Sequence, residues 1–174
     1  MTPILIIPGH FPSGEGHWQN LWEEALPEGR RVFMPNRQRP VLADWIWTLE
    51  DAIADCEAPP ILVAHSLGCI AVAHWAVDHA KPVRGALLVA PLDVEQPESL
   101  AAVRPFSPIP RFTLPFPTIV AASSNDPYMA LDRARELATD WGARFVDLGP
   151  RGHMNAASGH GPWIRGEALL AELR

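Results

Sequence analysis

Runs of four or five apolar residues recur along the chain, separated by stretches of helical periodicity. This alternation constrains the fold more than any other feature. Ala86-Leu87-Leu88-Val89-Ala90 contains no polar residue. A strand with one wet face alternates polar and apolar residues, whereas a strand covered on both faces does not. Ile4-Leu5-Ile6-Ile7, Ile61-Leu62-Val63-Ala64 and Thr118-Ile119-Val120-Ala121-Ala122 read the same way. Arg31-Val32-Phe33-Met34, stopped by Pro35, and Arg144-Phe145-Val146-Asp147-Leu148 are further strands. Between them, Trp18–Leu26, Val41–Cys56, Leu67–His79, Tyr128–Trp141 and Pro162–Leu173 read as helices. In the second of these Leu42, Trp45, Ile46, Leu49 and Ile53 share a face. Leu67–His79 carries almost no charge and reads as buried.

Strand and helix in strict alternation predict a doubly wound α/β domain. Its sheet is mostly parallel, of about six strands, with helices on both faces. The 174 residues make a single domain, 1–174. That length leaves no room for extra antiparallel strands ahead of Ile4 or for an inserted lid domain. Residues 104–117 break the pattern, with Pro105, Pro108, Pro110, Pro115 and Pro117 among Phe106, Ile109, Phe112 and Phe116. Proline at that density excludes regular helix and central strand. The stretch reads either as a rigid surface connection or as a wall of a binding site.

Composition removes whole classes of function. With 48% apolar and 20% charged residues the chain can bury a core, so disorder is excluded. Net charge is −6 without a basic run, which disfavours nucleic acid as a partner. No stretch approaches the ~18 apolar residues of a membrane span. Met1-Thr2-Pro3-Ile4-Leu5 lacks the basic start of a signal peptide. Cys56 and Cys69 have no metal-ligand or CxxC spacing, and read as buried thiols in helices. A cytoplasmic protein is expected; its oligomeric state is not readable.

The segment that carries chemistry is Ile61-Leu62-Val63-Ala64-His65-Ser66-Leu67-Gly68-Cys69. A buried strand runs straight into a buried helix, with Ser66 at the corner. Such a turn exposes the hydroxyl and aims backbone N–H groups at it, and it needs small residues two before and two after the Ser. These are Ala64 and Gly68, so the first Gly of G-x-S-x-G is replaced by Ala, small enough for the turn. A Ser hydroxyl needs a base, and the base an orienting acid, in the chain order Ser, acid, His for this fold. Asp126 follows the fifth strand, with Pro127 placed to start a helix. His153 follows the sixth, in the Gly-flanked loop Gly149-Pro150-Arg151-Gly152-His153-Met154-Asn155. In open α/β sheets ligands bind beyond the strands' C-terminal ends, so Ser66, Asp126 and His153 fall on one face.

Each has a bland reading: a helix cap for Ser66 or Asp126, an unpartnered loop residue for His153. Three such residues in order after three strands favour the catalytic reading. Asp93, after the fourth strand, is a second candidate acid; Asp147 should point off the site. His65 should turn its ring away from Ser66. His74 and His79 lie on the next helix, and His160 sits close to the last one. The oxyanion hole is assigned to the backbone N–H of Leu67, at a helix N-terminus, and that of His10, after the first strand. Phe11 is the fallback donor. Gly9 permits close backbone approach there. His10 and His17 without a nearby acid pair make a poor metal site, and Gly14-Glu15-Gly16 is a poor nucleotide fingerprint. No metal and no cofactor is expected. Phe11, Phe106, Ile109, Phe112, Met129, Met154 and Trp163 are candidates for the substrate pocket, which suggests an apolar acyl group of modest size.

The chain also resembles a known group. Pro8-Gly9 with His17-Trp18-Gln19, Asp44-Trp45, His65-Ser66-Leu67-Gly68, Asn125-Asp126-Pro127, Gly152-His153-Met154-Asn155 and Ser158-Gly159-His160-Gly161-Pro162-Trp163 are similar to stretches of the small serine hydrolases related to retinoblastoma-binding protein 9, within the α/β-hydrolase superfamily. The last three are fairly specific to that group. The resemblance implies a Ser66, Asp126, His153 triad and a compact, lidless hydrolase acting on carboxylic ester or amide bonds of small molecules. Two alternatives are a thioesterase or acyltransferase with the same triad, and a non-catalytic binding module on a hydrolase fold.

Overall fold

The computed structural model describes residues 1–174 except 12, 79, 80 and 98. His79, the expected end of the third helix, lies outside the described residues. The strands are β1 (Ile4–Ile7), β2 (Gly29–Arg31), β3 (Ile61–His65), β4 (Gly85–Val89), β5 (Thr118–Ala122) and β6 (Arg144–Asp147). They form one six-stranded sheet in the order β2-β1-β3-β4-β5-β6. Every pairing is parallel. The helices are α1 (Trp18–Ala25), α2 (Leu42–Ala54), α3 (Leu67–Asp78), α4 (Leu131–Asp140) and α5 (Ile164–Ala171). The chain steps outward from β1 to β2, then returns past β1 to β3 and continues the other way. The strand order therefore reverses between β1 and β3, and the crevice beyond their C-terminal ends is the place where open α/β sheets bind ligands.

The continuous apolar runs divide between two cores by the period-two alternation of a strand. Leu5, Ile7, Leu62, Ala64, Ala86, Leu88, Val120 and Ala122 face one core, with Trp45, Leu49, Trp75 and Leu137 opposite them. Ile4, Ile6, Ile61, Val63, Leu87, Val89, Ile119 and Ala121 face the other, with Trp18, Trp22, Trp163, Leu169 and Leu170. Fully burying one such Leu or Ile side chain stabilises by about 1.5–3 kcal/mol, so a polar residue at any of these positions would be costly. α3 is buried along almost its whole length, as its lack of charge suggests.

Three differences from the sequence reading have physical causes. β2 lies two residues earlier than expected, because it is an edge strand bonded only to β1, where Arg30 is exposed and Arg31 finds Glu23 and Asn20. Val32 and Met34 still bury, but the Met34 N–H turns back to the Val32 carbonyl and leaves the ladder. α4 begins at Leu131 rather than Tyr128. The Asp126 carboxylate accepts the Tyr128 N–H and Asp93 N–H donates to the Tyr128 carbonyl, so Pro127–Met129 form a turn, not a first helical turn. Cys56 lies past the end of α2 and is half-buried; Cys69 is buried, and both thiols are free. The Pro-rich stretch 104–117 is a surface connection anchored in the core, with Pro105, Pro108, Pro115 and Pro117 exposed, and it is not a site wall. It makes one 3₁₀ turn, Arg104–Phe106, and sinks Phe106, Ile109, Leu114 and Phe116 into the first core. Trp141 Nε1 fixes it by donating to the Pro110 carbonyl at 2.8 Å.

Candidate active site

Ser66 sits between β3 and α3 with φ of +56°, a left-handed conformation that a residue with a Cβ rarely adopts. The sharp reversal is possible because its surroundings are cut away. A Cβ on Gly9 would lie 2.8 Å from the Ser66 Cβ, and one on Gly68 would lie 2.7 Å from the Pro8 carbonyl oxygen. Ala64 is fully buried. Leu67 opens α3, so its N–H has no partner within the helix. The backbone at Gly9 and His10, just past β1, faces the same corner.

His153 Nε2 lies 2.8 Å from Ser66 Oγ, and its Nδ1 lies 2.8 and 3.0 Å from the two Asp126 carboxylate oxygens. The Asp126 side chain is 2% exposed. With Asp126 ionised, Nδ1 carries the proton and Nε2 is free to take one from the hydroxyl. Asp93, the second candidate acid, is engaged elsewhere: its carboxylate accepts the Glu95 N–H and faces Arg133 at 3.4 Å. Asp147 accepts the Gly149 N–H in a turn off the site.

Neighbours with no role in the sequence reading hold the two loops. Ser123 Oγ accepts the Arg151 N–H at 2.8 Å, and Asn125 Oδ1 accepts the Gly152 N–H at 2.7 Å. These bonds tie the loop of Asp126 to that of His153. His65 turns its ring to the loop of His153. Its Nε2–H donates to the His153 carbonyl at 2.8 Å, and the two rings lie 5.0 Å apart. Trp18 Nε1 donates to the Met154 carbonyl at 2.9 Å. Gln19 Nε2 donates to the Ile7 carbonyl at 2.9 Å, at the root of the Gly9 loop. His17 Nδ1 accepts the Gln19 N–H as the cap of α1. Tyr128 stands edge-on to the His153 ring at 4.7 Å.

Burial keeps the accessory imidazoles neutral. It lowers His17 to about 4, with the charges of Arg31 and Arg37 adding to the effect. Burial and the neighbouring His153 and His17 push His65 well below the ordinary imidazole value. His10 is lowered by burial and by Arg37. Among the described residues no group of three His, Cys, Asp or Glu side chains could hold a metal ion.

Above Ser66 and His153 opens a cavity of about 700 Å³, walled by Phe11, Leu92, Leu100, Val103 and Tyr128 with His10 and Ser66 at its base. Of the candidate pocket residues only Phe11 lines it. Phe106, Ile109 and Met129 pack into the first core with Phe112 against them, and Met154 and Trp163 into the second. An apolar side chain on a loop is as satisfied in a core as in a pocket, and the sequence does not separate the two. Leu92, Leu100 and Val103 take their place, from the connection after β4. No helix among the described residues is long and apolar enough to cross a membrane.

A family model described as serine hydrolase matches residues 4–172. Among solved structures, a protein described as a YdeN-like hydrolase from Pectobacterium atrosepticum is 31% identical, with a TM-score of 0.88 over 99% of this chain and 90% of that one. The ydeN gene product of B. subtilis is 22% identical, with a TM-score of 0.82 over 99% and 98% of the two chains. The esterase domain of a Rhodothermus marinus protein is 18% identical, with a TM-score of 0.71 over 98% and 87%; at that identity the likeness is one of fold. No curated protein sequence matches the chain.

Proposed function

The chain belongs to the serine hydrolase family, within the α/β-hydrolase superfamily, and from that premise we propose that it cleaves a carboxylic ester with an apolar acyl group through an acyl-enzyme on Ser66. The observation that carries this reading is the unbroken line of 2.8 Å contacts from Asp126 through His153 to Ser66 Oγ. His153 Nε2 takes the hydroxyl proton as Oγ attacks the carbonyl carbon. Asp126 stays ionised and stabilises the imidazolium. The N–H groups of Leu67 and His10 receive the charge that develops on the carbonyl oxygen. The C–O bond to the alcohol breaks and the alcohol leaves with the proton from His153. Water, deprotonated by His153, then attacks the acyl-Ser66, and Ser66 departs with that proton. Amide and thioester bonds open by the same steps.

Phe11, Leu100 and Tyr128 are each at least half exposed and all border the one cavity. Its carboxylate, Asp93, is paired with Arg133. An apolar, uncharged acyl group suits such a lining. The two free thiols, Cys56 and Cys69, fit a reducing, cytoplasmic setting.

The test is labelling by a fluorophosphonate probe beside hydrolysis of p-nitrophenyl esters of rising chain length. Wild type should label and hydrolyse, and Ser66→Ala should do neither. Folded wild type that fails to label overturns the nucleophile. Equal rates on acetyl and octanoyl esters overturn the apolar acyl pocket.

A further inference from the structure

Arg37 lies outside the cavity lining, yet its guanidinium grips the loop that carries a proposed oxyanion donor. Nε donates to the Gly9 carbonyl at 2.9 Å and Nη2 donates to the Phe11 carbonyl. The two acceptors flank His10. The Gly9 carbonyl and the His10 N–H are opposite ends of one planar trans peptide, so they point in opposite directions. A cation on the oxygen draws electron density across the amide and strengthens the N–H as a donor, as hydrogen-bonded chains polarise one another.

The placement of this cation is built rather than incidental. Trp45, fully buried, donates Nε1–H to the Pro35 carbonyl at 2.9 Å. Asn36 then turns with φ of +44°, and the Arg39 N–H closes the turn on the Asn36 carbonyl. Arg37 is thereby aimed back at the end of β1. Among the described residues no carboxylate forms an ion pair with it. Burial and the charge of Arg31 push its pKa down to about 10, which leaves it cationic in any neutral assay. Its field therefore falls on the two carbonyls undiminished by a counter-ion.

We propose that Arg37 is a positioning residue for hydrolysis: through the Gly9 carbonyl it polarises the Gly9–His10 peptide whose N–H receives the oxyanion, and through Phe11 it fixes the loop. The inference rests on the reading of Ser66 as nucleophile and of the His10 amide as oxyanion donor. It predicts an effect on the transition state, where the oxygen is charged, and little on the ground state, where it is not.

The experiment compares wild type, Arg37→Lys, Arg37→Gln and Arg37→Met for kcat and KM on a p-nitrophenyl ester, for fluorophosphonate labelling rate, and for Tm. Loss of the whole donor is worth ~100- to 1,000-fold, so loss of its polarisation should be worth about tenfold. Arg37→Gln and Arg37→Met should lose about tenfold in kcat and in labelling rate, with KM within about twofold. Arg37→Lys, which keeps the charge and can reach one carbonyl, should recover part of it. If Arg37→Met fails to fold, Arg37→Gln carries the same test with a neutral donor in place. A kcat within about twofold of wild type in folded Arg37→Gln overturns the inference, as does a loss confined to KM or one that Arg37→Lys does not ease. Wild type that neither labels nor hydrolyses overturns the serine-hydrolase reading itself, and this inference falls with it; active wild type separates the two failures.

Discussion

Ser66 is held at φ of +56° by a neighbourhood with two missing methyl groups, at Gly9 and Gly68. Gly68→Ala would bring a Cβ to 2.7 Å from the Pro8 carbonyl oxygen and 3.0 Å from Ile7 Cγ2. Neither the oxygen nor the strand end can retreat without moving β1, so the variant should lose about 1–3 kcal/mol by urea unfolding. It should also lose most of its fluorophosphonate labelling, because β1 leads into the oxyanion loop. Ala64→Gly, which restores the usual first Gly of the motif, should do the opposite of what the motif suggests. Ala64 lies in β3 with its methyl in the first core, so Gly there adds chain entropy to the unfolded state and removes a buried methyl group. The cost is about 1–2 kcal/mol, and kcat should be unchanged. A gain in kcat for Ala64→Gly would mean that the Ala strains the turn. That Ser66, Asp126 and His153 come together was legible in the sequence, because topology alone brings the ends of β3, β5 and β6 to one face. His65, Trp18, Ser123 and Asn125 were not. Each bonds a backbone group of a distant loop, and a backbone N–H or C=O leaves no trace in the residue type opposite it.

At the scale of elements, α1 does more for the site than its eight residues suggest. Its opening triplet reaches three places: His17 packs edge-on to His65 at 5.0 Å, Trp18 bonds the Met154 carbonyl, and Gln19 bonds the Ile7 carbonyl. The helix thus links the end of β1 to the loop of His153. Met154 is itself left-handed, with φ of +50°, so its peptide needs an external hold. Trp18→Phe keeps most of the ring packing and removes the donor. A buried carbonyl left unpaired costs about 1–3 kcal/mol, to be read as a lower Tm and urea midpoint. The freed loop should lower kcat, since it carries His153, and raise KM with it, since Asn155, Ala156 and Ala157 on the same loop line the cavity. Asn125→Ala tests the other side of the same loop. It removes the acceptor of the Gly152 N–H at an exposed position, so the N–H can turn to water. It should cost less stability than Trp18→Phe while still lowering kcat. Equal losses of stability in the two variants would refute the distinction. The elements themselves were legible wherever periodicity was strong. They shifted where a local hydrogen bond competed, as at Tyr128, or where an edge position relaxed the demand for apolar residues, as at Arg30 and Arg31.

The whole molecule is a parallel sheet between two apolar layers, with several imidazoles enclosed near one end of it. This arrangement makes its stability depend on pH in a stated direction. His17, His65, His10, His74 and His160 all have pKa values lowered, in each case first by burial. Between its folded and unfolded pKa such a group binds fewer protons folded than unfolded. Stability is therefore full above the unfolded value of about 6.5 and falls as pH drops below it. For His17 the loss runs from about 6.5 down to its folded value of about 4. At about 1.4 kcal/mol per pH unit that is on the order of 3 kcal/mol from one buried side chain, a large part of the ~5–15 kcal/mol that holds a domain folded. Urea unfolding at pH 7.5, 6, 5 and 4 should show the decline. His17→Asn isolates the share of His17, because an Asn side chain also caps a helix by accepting the N–H that His17 Nδ1 now accepts. That variant should be somewhat less stable at pH 7.5, where it lacks the stacking on Trp18. It should then lose about 3 kcal/mol less than wild type on the way to pH 4, so the two curves converge or cross in acid. Parallel curves would show that His17 takes up its proton without cost to the fold, and the acid sensitivity would then belong to the other four imidazoles.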